Sequence, residues 1–131
     1  MIFRNARLAD GRTRDVSVRG ETIASVGESI PADDGERIVD ASGKLLLPGM
    51  IDAHVHFREP GFAHKETWRT GSRSAAAGGV TTVVDQPNTD PPTVDGEAFD
   101  RKATLADASL VDYGLNGGVP PEWKPGKPLD R

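Results

Sequence analysis

Two histidines separated by one residue, His54 and His56, are the side chains in this sequence best suited to chemistry. They sit in the run Pro48-Gly-Met-Ile-Asp-Ala-His-Val-His-Phe-Arg-Glu-Pro-Gly61, whose apolar part reads as a strand over Met50–His56. Side chains two apart on a strand leave it on the same face, so both imidazoles point one way. Imidazole is the commonest metal ligand near neutral pH, and zinc takes its nitrogens at about 2.0–2.1 Å. The pair is half a metal site. The competing reading is a pair of strand histidines that only hydrogen-bond. The polar loop Arg58 to Gly61 favours the metal, because a barrel strand delivers its ligands at its C-terminal end.

Arg58 offers a planar fork suited to a carboxylate, and Asn88 can add a hydrogen bond to the same group. Together with the histidines they suggest a small anionic substrate beside a metal. Each has a plainer alternative: Arg58 in a surface ion pair with Glu59 or Glu66, and Asn88 as a turn residue after Pro87. Asp52 and Asp85 are expected to pack or to orient neighbours, not to ligate. His64 reads as an exposed loop residue. Gly78-Gly79 ends a helix instead of starting one, so it does not form a phosphate loop.

Composition narrows the class. The 131 residues allow one domain, or a small one with part of a larger one. Hydrophobic content is 36%, low for a self-contained core, and 15 Gly and 10 Pro make the chain rich in turns. A net charge of −4 with no basic run excludes a phosphate-backbone binder, so no nucleic-acid partner is expected. With no cysteine there is no disulfide or thiolate site, and any zinc must be held by histidine and oxygen. No stretch approaches membrane-spanning length and the first residues do not form a signal peptide, so a soluble, cytoplasmic protein without a membrane partner is expected.

The elements that position these residues fall into two parts. Residues 2–47 read as short strands: Ile2–Leu8, a strand carrying Val16 and Val18 after the Asp10-Gly11 turn, Thr22–Val26 and Arg37–Asp40. A β module of about 45 residues is too small for a sufficient core and should need packing from elsewhere. From Pro48 the rhythm becomes strand, helix, strand, helix, strand. A helix is predicted over Glu66–Ala77 and a β-branched strand over Val80–Val84. A second helix follows over Asp95–Ala106, burying Phe99, Ala103 and Ala106, and a third strand over Leu110–Leu115. Crossovers of this length imply parallel strands. Val119 to Arg131 reads as a loop or an unfinished helix.

The Pro48–Gly61 run, followed by Lys65-Glu66, Ala77-Gly-Gly-Val-Thr-Thr82 and Pro87-Asn-Thr89, resembles the N-terminal part of the dihydroorotases. These are cyclic amidohydrolases of the metal-dependent amidohydrolase superfamily. The resemblance covers nearly the whole chain. The His-X-His strand alone indicates only the superfamily, whereas Arg58, Lys65-Glu66 and Pro87-Asn88 point to dihydroorotase.

The resemblance implies an α/β fold. Residues 1–47 would form a small β-sandwich module, and 48–131 the first strands and helices of a TIM-like (β/α)8 barrel, incomplete in this chain. It implies zinc, one or two ions per complete site, with His54 and His56 as ligands and Arg58 and Asn88 binding the substrate carboxylate. The implied reaction is the reversible cyclisation of N-carbamoyl-L-aspartate to L-dihydroorotate in pyrimidine biosynthesis, the metal lowering the pKa of a water and polarising the amide carbonyl. The general base is expected beyond Arg131, so no catalytic residue is assigned within the chain, and the isolated chain, as an N-terminal fragment, is expected to be inactive. Besides the small anionic substrate, implied partners are further copies of the protein or a complete enzyme.

One departure keeps alternatives open. Asp85-Gln86 stands where dihydroorotases more usually carry an apolar or sulfur-containing pair, which is reminiscent of allantoinases and hydantoinases. A cyclic amidohydrolase of that type is the alternative enzyme, and a non-catalytic dihydroorotase-like interaction partner is the alternative outside catalysis.

Overall fold

The computed structural model describes residues 1–125, so the end of the stretch read as a loop or unfinished helix lies outside the described residues. The chain divides into two compact units, Met1–Pro48 and Gly49–Arg131.

The first unit is one four-stranded sheet built from β1 (Ile2–Arg7), β2 (Thr13–Arg19), β3 (Thr22–Gly27) and β4 (Ile38–Asp40), in the order β3-β2-β1-β4. β1 and β2, and β2 and β3, run antiparallel, while β4 joins β1 in parallel. The β1–β2 turn forms where expected. Asp10 Oδ1 accepts the Arg12 N–H at 2.9 Å and Gly11 takes φ 84°, a conformation glycine adopts without cost.

Ile2, Ala6, Val16 and Ala41 are buried. Beside them lies a buried carboxylate, Asp15, which accepts from Arg4 Nη1 at 2.5 Å, Asn5 N–H at 3.0 Å and Ile30 N–H at 3.1 Å. These donors, the Asn5 amide foremost, hold the carboxyl below its usual range. Asn5 itself sits at φ 57°, within the register shift between Phe3 and Ala6. The unit leaves an apolar groove open, lined by Leu8, Val18, Ile23, Val26 and Leu47. That is what a module too small for its own core should show.

The second unit has β5 (Met50–Val55), α1 (Trp68–Ala77), β6 (Val80–Asp85), α2 (Gly96–Ala106) and β7 (Asp112–Leu115). Its sheet order is β5-β6-β7 with both pairings parallel, as the alternating rhythm predicts. All three strands therefore end at the same edge.

α1 begins two residues later than the sequence suggests. Thr67 caps it, accepting the Thr70 N–H at 3.1 Å in a capping box, and Glu66 accepts the Thr67 N–H from outside the helix. The helix packs against the end of β5 through Phe57 and Trp68, whose rings meet edge to face at 5.1 Å in a core with Val83 and Ala106. Gly71 is required at that contact, because a Cβ there would stand 2.5 Å from the Phe57 ring.

The buried face of α2 differs from the expected one. Ala98, Lys102 and Ala106 are buried, while Phe99 is 40% exposed. Hydrophobicity alone places the apolar Phe99 inward. Lys102 displaces it because its charge is neutralised inside, by Asp85. Asp95 caps this helix through the Ala98 N–H at 2.8 Å. β7 is shorter than predicted, since the Leu110 N–H is taken by Ser72 Oγ at 3.0 Å before the ladder begins.

Candidate metal and anion site at the strand ends

The C-terminal ends of parallel strands are where α/β folds place their chemistry. Here those ends carry His54 to Arg58 at the end of β5 and just beyond it, and Asp85 to Asn88 at the end of β6 and just beyond it.

His54 and His56 are brought together as the spacing predicts, with ring centroids 5.1 Å apart and planes at 70°. Asp52 Oδ1 accepts the His54 N–H at 3.1 Å, so this carboxylate holds backbone, in line with an orienting role. The same contact coincides with an irregularity in the β5–β6 register between Asp52 and Val55.

His56 Nδ1 meets Asn88 Oδ1 at 2.8 Å. A carboxamide oxygen only accepts, so the ring nitrogen donates and the proton sits on Nδ1. The Nε2 lone pair is then exposed, one of the two ring nitrogens through which a neutral imidazole can bind a metal. Among the described residues the Asn88 –NH2 group meets no acceptor, so it can serve a further one. Asn88 is thus more than a turn residue.

Arg58 occupies the left-handed region at φ 65°. For a residue with a Cβ this costs about 1–2 kcal/mol, and such conformations gather at functional sites. Its guanidinium forms no ion pair among the described residues, because both expected partners are engaged elsewhere. Glu59 Oε2 accepts the Trp68 N–H at 2.7 Å at the start of α1, and Glu66 faces Thr67 and Thr70.

The two loops are joined directly. The Asp90 N–H donates to Pro60 O at 3.2 Å, and Gly61, at φ 92°, lies so close that a Cβ would stand 2.5 Å from Asp90 O. His64 is exposed against Phe62, as expected of a residue outside the site.

Beneath the loops Asp85 and Lys102 form an ion pair of 2.6 Å with both side chains buried. Asp85 Oδ1 also accepts the Phe57 N–H at 2.7 Å, and Lys102 Nζ donates to Gln86 O at 2.5 Å. Asp85 was legible as an orienting carboxylate; Lys102 was not. The signal for it was a lysine in register with Ala98 and Ala106 on the helix.

As a metal centre the arrangement is partial. Two imidazoles are placed together, with ring centroids 5.1 Å apart. Among the described residues no group of three or more His, Asp or Glu side chains could hold an ion. No helix among these residues is long and apolar enough to cross a membrane.

Comparison with known proteins follows the same strands. A family model described as "Dihydro-orotase-like" matches residues 43–112. The chain is 63% identical to a dihydroorotase of Halobacterium salinarum over 99% of its own length and 31% of the relative's. It is 50% identical to an allantoinase of Rubrobacter xylanophilus over 92% of the chain and 27% of that protein. Among solved structures, the L-hydantoinase of Arthrobacter aurescens superposes with a TM-score of 0.82 at 34% identity, covering 92% of this chain and 28% of that one. The chain therefore spans less than a third of the length of the curated relatives it matches.

Proposed function

Since the chain belongs to the dihydroorotase-like family, we propose that the protein carrying it is a cytoplasmic dihydroorotase. It would interconvert N-carbamoyl-L-aspartate and L-dihydroorotate by making and opening a cyclic amide bond. Residues 1–47 then belong to a small β-sandwich, and 48–131 to the first turns of a (β/α)8 barrel whose later strands supply the general base.

In this reading His54 and His56 hold zinc, one ion or two in the complete site. When bound, the metal would acidify water and polarise the amide carbonyl. The chain's own residues do the rest of the work assigned here. His56 presents Nε2 because Asn88 keeps its proton on Nδ1. Arg58, without a carboxylate partner among the described residues, binds the substrate carboxylate through its paired N–H groups. The Asn88 –NH2 donates to the same carboxylate, so one amide serves ligand and substrate.

The observation that carries the reading is the 2.8 Å contact between His56 Nδ1 and Asn88 Oδ1. It links the metal-type residue to the carboxylate-type residue. Arg58→Gln in the full-length protein tests it: KM for dihydroorotate should rise by one to two orders of magnitude while zinc affinity holds. An unchanged KM would remove Arg58 from the substrate site.

A second reading, a cyclic amidohydrolase acting on allantoin or a hydantoin, is favoured by Asp85 and by the 50% identity to an allantoinase. Those rings lack the carboxylate for which Arg58 is suited. A protein of that type should therefore be insensitive to Arg58→Gln.

A further inference from the structure

We propose that the buried Asp85–Lys102 pair is the positioning device of the site, fixing His56 and Asn88 relative to each other. This rests on the reading of His54 and His56 as zinc ligands.

The pair sits between the two strand ends and reaches each by one hydrogen bond, from Asp85 toward His56 and from Lys102 toward Asn88, while Asp85 and Lys102 meet each other as an ion pair. Asp85 Oδ1 accepts the Phe57 N–H at 2.7 Å, the amide immediately after His56. Asp85 Oδ2 faces Lys102 Nζ at 2.6 Å. Lys102 Nζ donates at 2.5 Å to Gln86 O, which opens the loop carrying Asn88. The chain of contacts therefore runs from the His56 side to the Asn88 side through one carboxylate and one ammonium. It closes above through the 2.8 Å bond between His56 and Asn88 themselves.

Stability alone does not call for such a pair. Desolvating two charges offsets most of their attraction, and well-packed apolar side chains often stabilise as much. What apolar side chains lack is direction. Ligand groups must be held to about 0.5 Å to function, and residues that orient ligands typically carry ten- to hundredfold of metal affinity. Lys102 reaches no position where it could touch substrate without leaving this burial, so its action is through Asp85 and Gln86.

Two double variants of the full-length protein separate positioning from packing. Asp85→Leu with Lys102→Met removes charge and the acceptor together. Asp85→Asn with Lys102→Met removes charge but keeps an acceptor oxygen for the Phe57 N–H. Zinc affinity is read by competition with a chelating dye, and stability by thermal melting. The first variant should melt lower than the unsubstituted protein, since it orphans the buried Phe57 N–H, and bind zinc about ten- to hundredfold more weakly, and the second should recover affinity to within a few-fold. Equal zinc affinity in all three proteins overturns the proposal.

If the leucine variant does not fold, amide exchange of the unsubstituted, metal-free protein decides. A Phe57 N–H protected like the interior amides of β6 supports the device, and exchange at the rate of an open loop overturns it. Failure of the underlying reading looks different: His54→Ala and His56→Ala would then leave zinc affinity unchanged, whatever the Phe57 amide does.

Discussion

Asn88 fixes the proton of His56: the Oδ1–Nδ1 contact of 2.8 Å leaves the ring only Nε2 as a lone-pair donor. A flipped amide would put the proton on Nε2 and disable the ligand. Nitrogen NMR of the metal-free protein should therefore show His56 as the Nδ1–H tautomer. Asn88→Ala should lose that preference and weaken both zinc binding and substrate binding by about tenfold or more. Asn88→Asp should keep the acceptor for Nδ1–H and hold zinc, yet raise KM for an anionic substrate. If Asn88→Ala leaves the tautomer unchanged, the amide is not what sets it.

Arg58 carries the backbone cost of its position, at φ 65°. Replacing it with glycine relieves about 1–2 kcal/mol of left-handed strain, which offsets the extra freedom glycine gains on unfolding. The melting temperature of Arg58→Gly should stay level or rise while turnover of dihydroorotate is lost. A clear fall in stability would show that the side chain is held by the fold and not kept for the substrate.

Gly61 sits at φ 92° against the Asp90 backbone, where a Cβ would come within 2.5 Å of the carbonyl. Gly61→Ala should cost about 1–3 kcal/mol and displace the loop that carries Asn88. Denaturant melts and KM should therefore worsen together. A variant that melts normally would mean that the two loops are not locked at this point.

The first unit has an acid-sensitive contact. The N-terminal ammonium lies 2.9 Å from Glu36, and this contact, with the Asp33 N–H and Arg19 adding to it, lowers the Glu36 carboxyl from 4.5 to about 2. A depressed folded pKa contributes stability above the unfolded value that is lost as pH falls toward the folded one. Stability should thus decline between about pH 4.5 and pH 2, and Glu36→Gln should flatten that part of the profile. An unaltered acid limb in the variant would assign the loss to other carboxylates.

The strands and their parallel order were legible because β-branched runs, glycine stops and alternation all depend on local sequence. So was the His54–His56 pair, which needs only a two-residue period. Less legible were the features set by long-range partners. The late start of α1 at Trp68 is set closer at hand, by the Thr67 cap and by Glu59 nine residues before it, whose carboxylate takes the Trp68 N–H. The turn of α2 that exposes Phe99 and buries Lys102 depends on Asp85, seventeen residues earlier. A hydrophobicity pattern reads lysine as outward, and only a carboxylate waiting inside reverses it. Arg58 and Asn88 could be named by type. The left-handed backbone of one and the imidazole contact of the other are three-dimensional facts.

The most direct test of the central claim is a side-by-side assay of the zinc-loaded, full-length protein with L-dihydroorotate and with allantoin. The carboxylate reading of Arg58 and Asn88 predicts a kcat/KM for dihydroorotate at least about a hundredfold above that for allantoin, collapsing in Arg58→Gln. A preference for allantoin, or a dihydroorotate activity indifferent to Arg58, would contradict it.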